Sequence, residues 1–375
     1  MSCFGHTLRL TTFGESHCKA VGGILEGFPS QFHLDLEKIQ VQLDRRRARG
    51  GLSTPRHEED RIELLSGTEN DITLGTPLGF LVWNRNVRPE DYHLTQGSGS
   101  TYVPRPGHGD FTYLEKYGIH ASSGGGRSSA RETISRVIGG AIAEQYLIKN
   151  CGNCFCVAWV SRVGPHHMVD LYPDLENADS SYSTLRKEID ASPVRCPDPK
   201  VSLEMISAIE KARVEGDSVG GIVEACIYNP PIGLGEPCFD KIESKLAQAM
   251  MSIPATKGFE IGCGFRCSEM RGSQHNDTFA SGGEGLYRIQ PITNHAGGTL
   301  GGITSGADIR FRVAFKPPST ISQKQSTVTL SGDPSTLEAK GRHDPCVVHR
   351  AVPIVEAMAS LVLLDAVLQQ RRLGI

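Results

Sequence analysis

The segment Ile309-Arg-Phe-Arg-Val-Ala-Phe315 has an apolar side chain at every second position. Successive side chains of a β-strand point to opposite faces, so this alternation predicts a strand with one buried face. The same kind of alternation occurs at 7–13 and at 154–163, where we expect two further strands.

Helical spacing of apolar residues occurs between these strands and after them. It predicts helices over 36–47 and 134–142, and a third from 354 to 368 that opens after Pro353. This last helix is apolar nearly all round, so we expect it to be buried. Strands and helices are mixed without the regular alternation of a doubly wound sheet, which favours an α+β fold. Stretches of lower complexity at 95–109, 180–199 and 273–285 predict loops, and none is typical of a domain linker.

The composition is that of a globular, enzyme-sized protein. The 375 residues include 39 Lys and Arg against 42 Asp and Glu, a formal net charge of -3. This balance argues against a protein that coats the nucleic-acid backbone. With 38% hydrophobic and 22% charged residues, the chain is neither disordered nor fibrous.

The sequence also predicts a cytoplasmic protein with no membrane partner and no metal. The apolar stretch at 354–368 contains Glu356 and Asp365, and no uninterrupted run reaches the ~18–20 residues of a membrane span. No hydrophobic signal core is recognisable at the amino terminus. The eleven cysteines are an odd number, so we expect free thiols. The groups 151–156 and 263–267 lack the paired C-x2-C spacing of a zinc site.

The first polar, glycine-bearing motif is Gly14-Glu-Ser-His-Cys18. Its first four residues match the G-x-S-x-G nucleophile elbow of serine hydrolases, but the fifth is Cys. The next segment of the chain, 21–25, is strand-like, whereas an elbow leads into a helix. The serine hydrolase interpretation loses most of its support here, and His17 is either structural or catalytic.

The second motif, Gly124-Gly-Gly-Arg-Ser-Ser-Ala-Arg-Glu132, precedes the helix at 134–142. Ser129 and Glu132 have the spacing of a capping box, so we expect the helix to begin there. Glycines and free backbone amides suit a bound anion. Each Arg contact would stabilise that anion by roughly 1.5–3 kcal/mol, compared with ~0.3–1 kcal/mol from the helix dipole. The alternative is a capped helix after a flexible loop. No Gly-Lys dipeptide and no G-x-G-x-x-G occur, so the site is neither a Walker A loop nor a Rossmann fingerprint.

The third motif combines Lys340-Gly-Arg-His-Asp-Pro345 with Arg105-Pro-Gly-His-Gly-Asp110. Each alone is typical of a surface turn. Together they indicate a pocket rich in Arg and His, which suits a polyanionic small molecule.

These motifs resemble those of the chorismate synthase family. The matching segments are 14–18 with 22–29, 126–133 with 140–142, and 341–345, while 249–255 and 301–306 also fit. The likeness covers nearly the whole chain. It implies one domain over 1–375, folded as a β-α-β sandwich in which a helical layer lies between two antiparallel four-stranded sheets, and assembled as a homotetramer.

The resemblance also implies a reaction. Chorismate synthases convert 5-enolpyruvylshikimate-3-phosphate into chorismate and phosphate by a 1,4-anti elimination, the last step of the shikimate pathway. Reduced FMN is required although there is no net redox change. The resemblance leaves open whether NADPH serves as the reductant through an intrinsic flavin reductase activity or the flavin is reduced externally.

Site residues are carried over from the family one by one. Asp344 would accept the proton relayed through flavin N5, His17 would protonate the departing phosphate, and His108 would lie beside the flavin N1/C2 carbonyl. Ser16 and Ser128 are candidate members of the relay.

Two ligands with several negative charges require about six positive charges in one cavity. The substrate would be bound by Arg46, Arg49, Arg105, Arg131 and Arg342. The FMN would be bound by Arg127, Ser128, Ser129, Pro254, Ala255, Gly301, Lys316, Pro317, Pro318, Ser319, Thr320 and Arg342. The positive electrostatic field of the cavity would be strengthened by Arg45, Arg47 and Lys257. The loop 48–52 is one residue shorter than the family pattern, so Arg49 would supply its charge from a shifted position.

The main alternative is a flavin-binding or phosphate-binding module without turnover. The intact set of His17, His108 and Asp344 argues against it. A serine hydrolase is the third hypothesis, and a fluorophosphonate probe would label it but not a chorismate synthase.

Overall fold

The computed structural model describes residues 2–47, 51–53, 59–85, 102–119, 125–169, 182–282, 288–339 and 343–374. The α-helices of these residues are α1 Leu36–Arg46, α2 Asp110–Tyr117, α3 Thr133–Asn150, α4 Tyr182–Ala191, α5 Pro199–Val214, α6 Ile242–Met251, α7 Gly272–His275 and α8 Val348–Arg372. Short 3₁₀ turns lie at Gly126–Ser128, Ala130–Glu132 and Gly264–Glu269.

The strands of the described residues form two five-stranded sheets and four two-stranded hairpins. They are β1 Cys3–Phe4, β2 Arg9–Phe13, β3 Ala20–Glu26, β4 Glu63–Leu64, β5 Thr68–Glu69, β6 Ile72–Thr73, β7 Leu78–Trp83, β8 Phe155–Val163, β9 His166–His167, β10 Gly221–Tyr228, β11 Thr256–Ile261, β12 Phe279–Ser281, β13 Ile289–Pro291, β14 Thr299–Leu300, β15 Ile303–Thr304, β16 Ile309–Phe315, β17 Gln325–Val328 and β18 Pro334–Leu337.

Both large sheets are antiparallel throughout. Their strand orders are β1-β2-β3-β7-β4 and β11-β16-β10-β8-β9. Helices mixed with antiparallel sheets confirm the α+β prediction. The expected number of four strands per sheet is corrected to five, because two-residue segments such as β4 and β9 pair along the edges. Segments this short have no alternation that the sequence could reveal.

Helices α3 and α8 connect the two sheets through one hydrophobic core. α3 packs against β2 and β3, whereas α8 packs against β8 and β10. The two helices contact each other where Gly140 meets Ala357, and a methyl group on Gly140 would lie 2.4 Å from the Ala357 Cα. A glycine is therefore required for this close approach.

Most of the predicted elements are confirmed, but α8 begins at Val348 rather than after Pro353. Pro353 lies inside the helix, where a proline has no N–H to donate to the carbonyl four residues earlier. That carbonyl belongs to His349, and it accepts a hydrogen bond from the Arg195 guanidinium instead. The proline is tolerated because a distant side chain replaces the missing donor.

The loops expected at 180–199 and 273–285 contain α4 and the short elements α7 and β12. In α4 the buried residues are Leu185, Arg186 and Ile189. Arg186 is buried through an ion pair with Glu144 of α3. Since an arginine normally marks an exposed position, the sequence pattern did not indicate a buried helical face here.

By length and composition alone, α8 could cross a membrane, since an 18-residue window has a mean hydropathy of 2.0. The apolar run is still interrupted by Glu356 and Asp365, as the sequence indicated. However, 94% of that window is buried inside the protein, so α8 serves as the central core helix.

All eleven cysteines are free thiols, as the odd number predicted. Among the described residues, no group of three or more His, Cys, Asp or Glu side chains is arranged to hold a metal ion.

Candidate active site

The motif at 14–18 forms a tight turn between β2 and β3. Gly14 has φ +92°, and a Cβ there would lie 2.3 Å from the Ala20 carbonyl oxygen, so only glycine fits. The Cys18 thiol donates to the Ala20 carbonyl at 2.9 Å, and the Asn84 side-chain amide donates to the Cys18 carbonyl at 2.7 Å. These contacts fix the turn that carries Ser16 and His17.

Ser16 is 2% exposed, and its hydroxyl has no hydrogen-bond partner among the described residues. A buried hydroxyl without a partner is costly, so this position is suited to a bound polar ligand. The next strand along the chain, β3, confirms that this turn is not a nucleophile elbow.

Arg127 joins the second motif to this turn. Its guanidinium donates to the Thr12 hydroxyl at 2.6 Å and to the Gly14 carbonyl at 3.2 Å. The Ser128 hydroxyl donates to the Gly125 carbonyl at 2.6 Å. Arg127 therefore connects the second motif to the end of β2 and to the turn at 14–18.

The expected capping box at Ser129 and Glu132 does not form. The Ser129 hydroxyl accepts from the Arg131 amide at 3.3 Å, whereas Glu132 pairs with Arg136 at 3.0 Å. Residues 130–132 form a 3₁₀ turn, and α3 begins only at Thr133. A 3₁₀ turn changes the direction in which the Ser129 and Glu132 side chains point, so the reciprocal pair cannot close.

Arg46 and Arg131 share one buried carboxylate, that of Asp60. Arg131 contacts it at 2.6 Å and Arg46 at 3.5 Å, and Arg46 also donates to the Thr133 hydroxyl at 2.9 Å. Burial lowers the pKa of Arg46 to about 9, because Asp60 offsets only part of the desolvation and neighbouring arginines add to it. Two buried guanidinium groups at one carboxylate form a position suited to an anionic ligand.

The 105–110 part of the third motif is organised around Asp110, at the start of α2. Arg105 contacts both carboxylate oxygens at 2.8 Å, and His108 Nδ1 lies 2.7 Å from Oδ1. Burial alone would raise the pKa of Asp110, but the hydrogen bonds from Arg105 and His108 outweigh it and hold the pKa well below its usual value. The ionised carboxylate therefore orients the His108 ring through Nδ1 and leaves Nε2 for other contacts.

A lysine-bearing segment completes this side of the site. Lys316 Nζ donates to the Ser319 hydroxyl at 2.7 Å and to the Gly107 carbonyl at 2.5 Å, and the Lys316 amide donates to the Ala255 carbonyl at 2.9 Å. Burial and the nearby Lys257 lower the pKa of Lys316. The segments 254–255 and 316–320 thus meet at the third motif, where Arg105 also donates to the Thr320 hydroxyl at 3.3 Å.

Asp344 reaches the Arg46 end of the site through Arg350. Arg350 Nη1 lies 2.7 Å from Asp344 Oδ2, and its Nε lies 3.5 Å from the Arg46 carbonyl oxygen. Arg49 and Arg342, both expected to bind ligands, lie outside the described residues.

Two of the expected residues lie away from the arginine pair and the lysine-bearing segment. Arg45 faces the interior, where it binds Glu356 and Asp190. Gly301 lies in the exposed turn between β14 and β15. Hydrogen bonds of the described residues hold that hairpin to Leu234 and Ile242 rather than to the lysine-bearing segment.

Three residues of this arrangement were not singled out from the sequence: Asp60, Asn84 and Arg350. Asp60 has φ +47°, which is uncommon for a residue with a side chain. No local pattern marks any of the three, because their partners are far away in the sequence.

The model of the chorismate synthase family matches residues 8–368 of the chain. The chain belongs to this family. It is 52% identical to the chorismate synthase of Saccharomyces cerevisiae, covering 99% of this chain and 97% of that protein. It is 49% identical to that of Schizosaccharomyces pombe, with 100% and 98% covered. A solved structure titled "Crystal Structure of Chorismate Synthase" has a TM-score of 0.74 at 30% identity, covering 98% of this chain and 93% of that one.

Chorismate synthases are lyases of the shikimate pathway, which leads to the aromatic amino acids, and they catalyse its last step on a small-molecule substrate. The family therefore supplies the activity of this chain. The binding module and the serine hydrolase are excluded as its function.

Proposed function

We propose that this chorismate synthase eliminates phosphate from 5-enolpyruvylshikimate-3-phosphate in the site described above, with reduced FMN as cofactor. The observation that carries the proposal is that motifs far apart in the sequence meet in one site. Motifs from the start, middle and end of the chain are joined by Arg127 to Gly14, by Arg131 to Asn84, and by Arg350 to both Arg46 and Asp344.

The substrate would bind at the arginine pair. Arg46 and Arg131 are 3% and 7% exposed and contact the same carboxylate. Two guanidinium groups held side by side suit a phosphate or carboxylate group of the substrate. Arg105 is committed to Asp110 and contributes mainly by orienting His108.

The residues of the lysine-bearing segment fit the phosphate of FMN. Lys316 and Lys257 are close enough for the second to lower the pKa of the first, and none of the described carboxylates pairs with Lys316. Ser128, Ser129, Ser319 and Thr320 add hydroxyl groups. When bound, reduced FMN supplies electron density that assists the loss of phosphate.

The protein's own groups would move the protons. His17, in the fixed turn beside Ser16, protonates the departing phosphate. His108, held by Asp110 through Nδ1, is available at Nε2 to hold a proton beside the cofactor. The Asp344 carboxylate, paired with Arg350, accepts the proton removed from the substrate.

An anaerobic assay of phosphate release with chemically reduced FMN tests this function. Asp344→Asn keeps the shape of the side chain and removes the base. We expect substrate and FMN still to bind while turnover falls ~10²- to 10⁴-fold. Turnover within a few-fold of the wild type would exclude Asp344 as the proton acceptor.

The source of electrons is tested separately. In air, turnover of the purified protein with FMN and NADPH would identify NADPH as the reductant. Turnover only with an external reductant would exclude an intrinsic reductase.

For the whole molecule, we propose a single domain over 1–375 with the layers of a β-α-β sandwich, since one core connects both sheets with α3 and α8. We further propose a homotetramer in the cytoplasm. The exposed side chains of Phe13, Ile24 and Trp83 on the first sheet, 41–43% exposed, support burial against another subunit. Light scattering after size-exclusion chromatography measures the assembly directly.

A further inference from the structure

Arg195 lies between the two elements that carry the proposed substrate arginine and the proposed proton acceptor. Helix α1 ends at Arg46, and α8 begins at Val348, shortly after Asp344. Arg195 comes after α4 in the chain and is 3% exposed, so it is buried between these elements.

Each part of the Arg195 guanidinium contacts a different element. Nη2 donates to the carbonyl of Arg45 in the last turn of α1, and Nη1 donates to the carbonyl of His349 in the first turn of α8. Nε lies 2.6 Å from Asp190 Oδ1 in α4. One planar group therefore holds three helices together.

Both carbonyls lack a helical donor. The Arg45 carbonyl belongs to the last turn of α1, where backbone acceptors have no intrahelical partner. The His349 carbonyl lacks one because Pro353 has no N–H. The fork of an arginine can satisfy both at once, which a lysine cannot do with the same geometry.

A second arginine strengthens the same junction. Arg350 contacts Asp344 at 2.7 Å and the Arg46 carbonyl at 3.5 Å. The last two carbonyls of α1 are thus both bound by guanidinium groups, and one of these groups also holds the Asp344 carboxylate.

We propose that Arg195 is a positioning residue of the lyase reaction, which fixes the distance between the Arg46 guanidinium and the Asp344 carboxylate by clamping the end of α1 to the start of α8. The inference rests on the proposed roles of Arg46 and Asp344. A displacement of about 1 Å in an active site lowers the rate by ~10²-fold, so a rigid clamp at this junction affects catalysis directly.

The test is the kinetics of Arg195→Lys in the full-length protein. The variant keeps a positive charge for Asp190 but cannot donate to both carbonyls in one plane. We expect kcat to fall ~10- to 100-fold while FMN affinity stays unchanged. The matched control is Arg186→Lys, an equally buried arginine of the same ion cluster that contacts neither carbonyl. It should lower the melting temperature and leave kcat within a few-fold.

A double-mutant cycle separates positioning from general damage. In an Asp344→Asn background, Arg195→Lys should lose most of its effect on the residual turnover, because the group it positions is already disabled. Equal fold-losses of kcat in both backgrounds, or equal losses in Arg195→Lys and Arg186→Lys, would overturn the inference. So would a folded Arg195→Lys variant with kcat near the wild type. Failure of the proposed function would be detected separately, as a fully active Asp344→Asn single variant, and would overturn this inference with it.

Discussion

Asp60 is the residue on which the cationic end of the site depends. Its carboxylate is 5% exposed and contacts both Arg46 and Arg131. Among the described side chains, this carboxylate is the one in direct contact with both guanidinium groups. The sequence indicated the two arginines through their motifs, but the carboxylate that balances them was not recognisable, since nothing near Asp60 in the sequence requires an acid.

At this scale, Arg46→Lys and Arg131→Lys should weaken substrate binding although both keep the charge. A lysine loses the bidentate fork, and a charge-assisted hydrogen bond is worth roughly 1.5–3 kcal/mol, so we expect the substrate Kd to rise about 10-fold or more. Titration calorimetry measures it. Arg9→Lys, in the exposed pair with Glu26, is the control. Unchanged affinity in both site variants would show that these side chains are not ligands.

The two histidines should be separable. His108 is oriented by Asp110 on the side of the lysine-bearing segment, whereas His17 lies in the turn held by Asn84. In His108→Ala we expect the absorbance spectrum of bound reduced FMN to change. In His17→Ala turnover should fall ~10²-fold or more with that spectrum nearly intact. Equal perturbation of the flavin by both variants would contradict this division of roles.

At the scale of elements, α3 and α8 pack closely against each other at Gly140. Gly140→Ala would place a methyl group 2.4 Å from the Ala357 Cα, so the helices would have to separate. We expect the free energy of unfolding to fall by about 1–3 kcal/mol, as measured by urea denaturation. Gly272→Ala is the matched control, because nothing lies within 4 Å of that position. Equal stability of the two variants would mean that the interface absorbs the methyl group.

The elements that the sequence predicted well are those whose burial is apolar. β16 has the predicted bounds because alternate side chains of 309–315 face the core. α4 was not predicted because its buried face includes Arg186, whose charge is balanced by Glu144 from another helix. Such a helix has a weak apolar pattern, and its stability comes from partners that local spacing does not reveal.

At the scale of the whole molecule, stability should depend on the buried His349. Burial lowers its pKa to about 3, from an ordinary value of 6.5. As the pH falls below 6.5, the unfolded chain takes up a proton at this imidazole that the folded protein does not accept. Unfolding is therefore favoured progressively between pH 6.5 and about 3.

From this shift we expect the free energy of unfolding to fall by roughly 2 kcal/mol between pH 6.5 and 5, since one pKa unit corresponds to about 1.4 kcal/mol. Urea denaturation at several pH values measures it. His349→Gln should reduce the loss, whereas His166→Gln, at a partly exposed histidine, should not. The same pH dependence in all three proteins would contradict the assignment to His349.

The sequence by itself determined the family, the α+β class and the set of motifs that supply most of the site, because apolar periodicity and motif spacing are local properties of the chain. Only the tertiary structure decided which charged residues act together. Arg45 and Arg46 are neighbours, yet one binds Glu356 in the interior and the other binds Asp60 in the site. Consecutive side chains of a helix point about 100° apart, and what each one meets depends on the packing of distant elements.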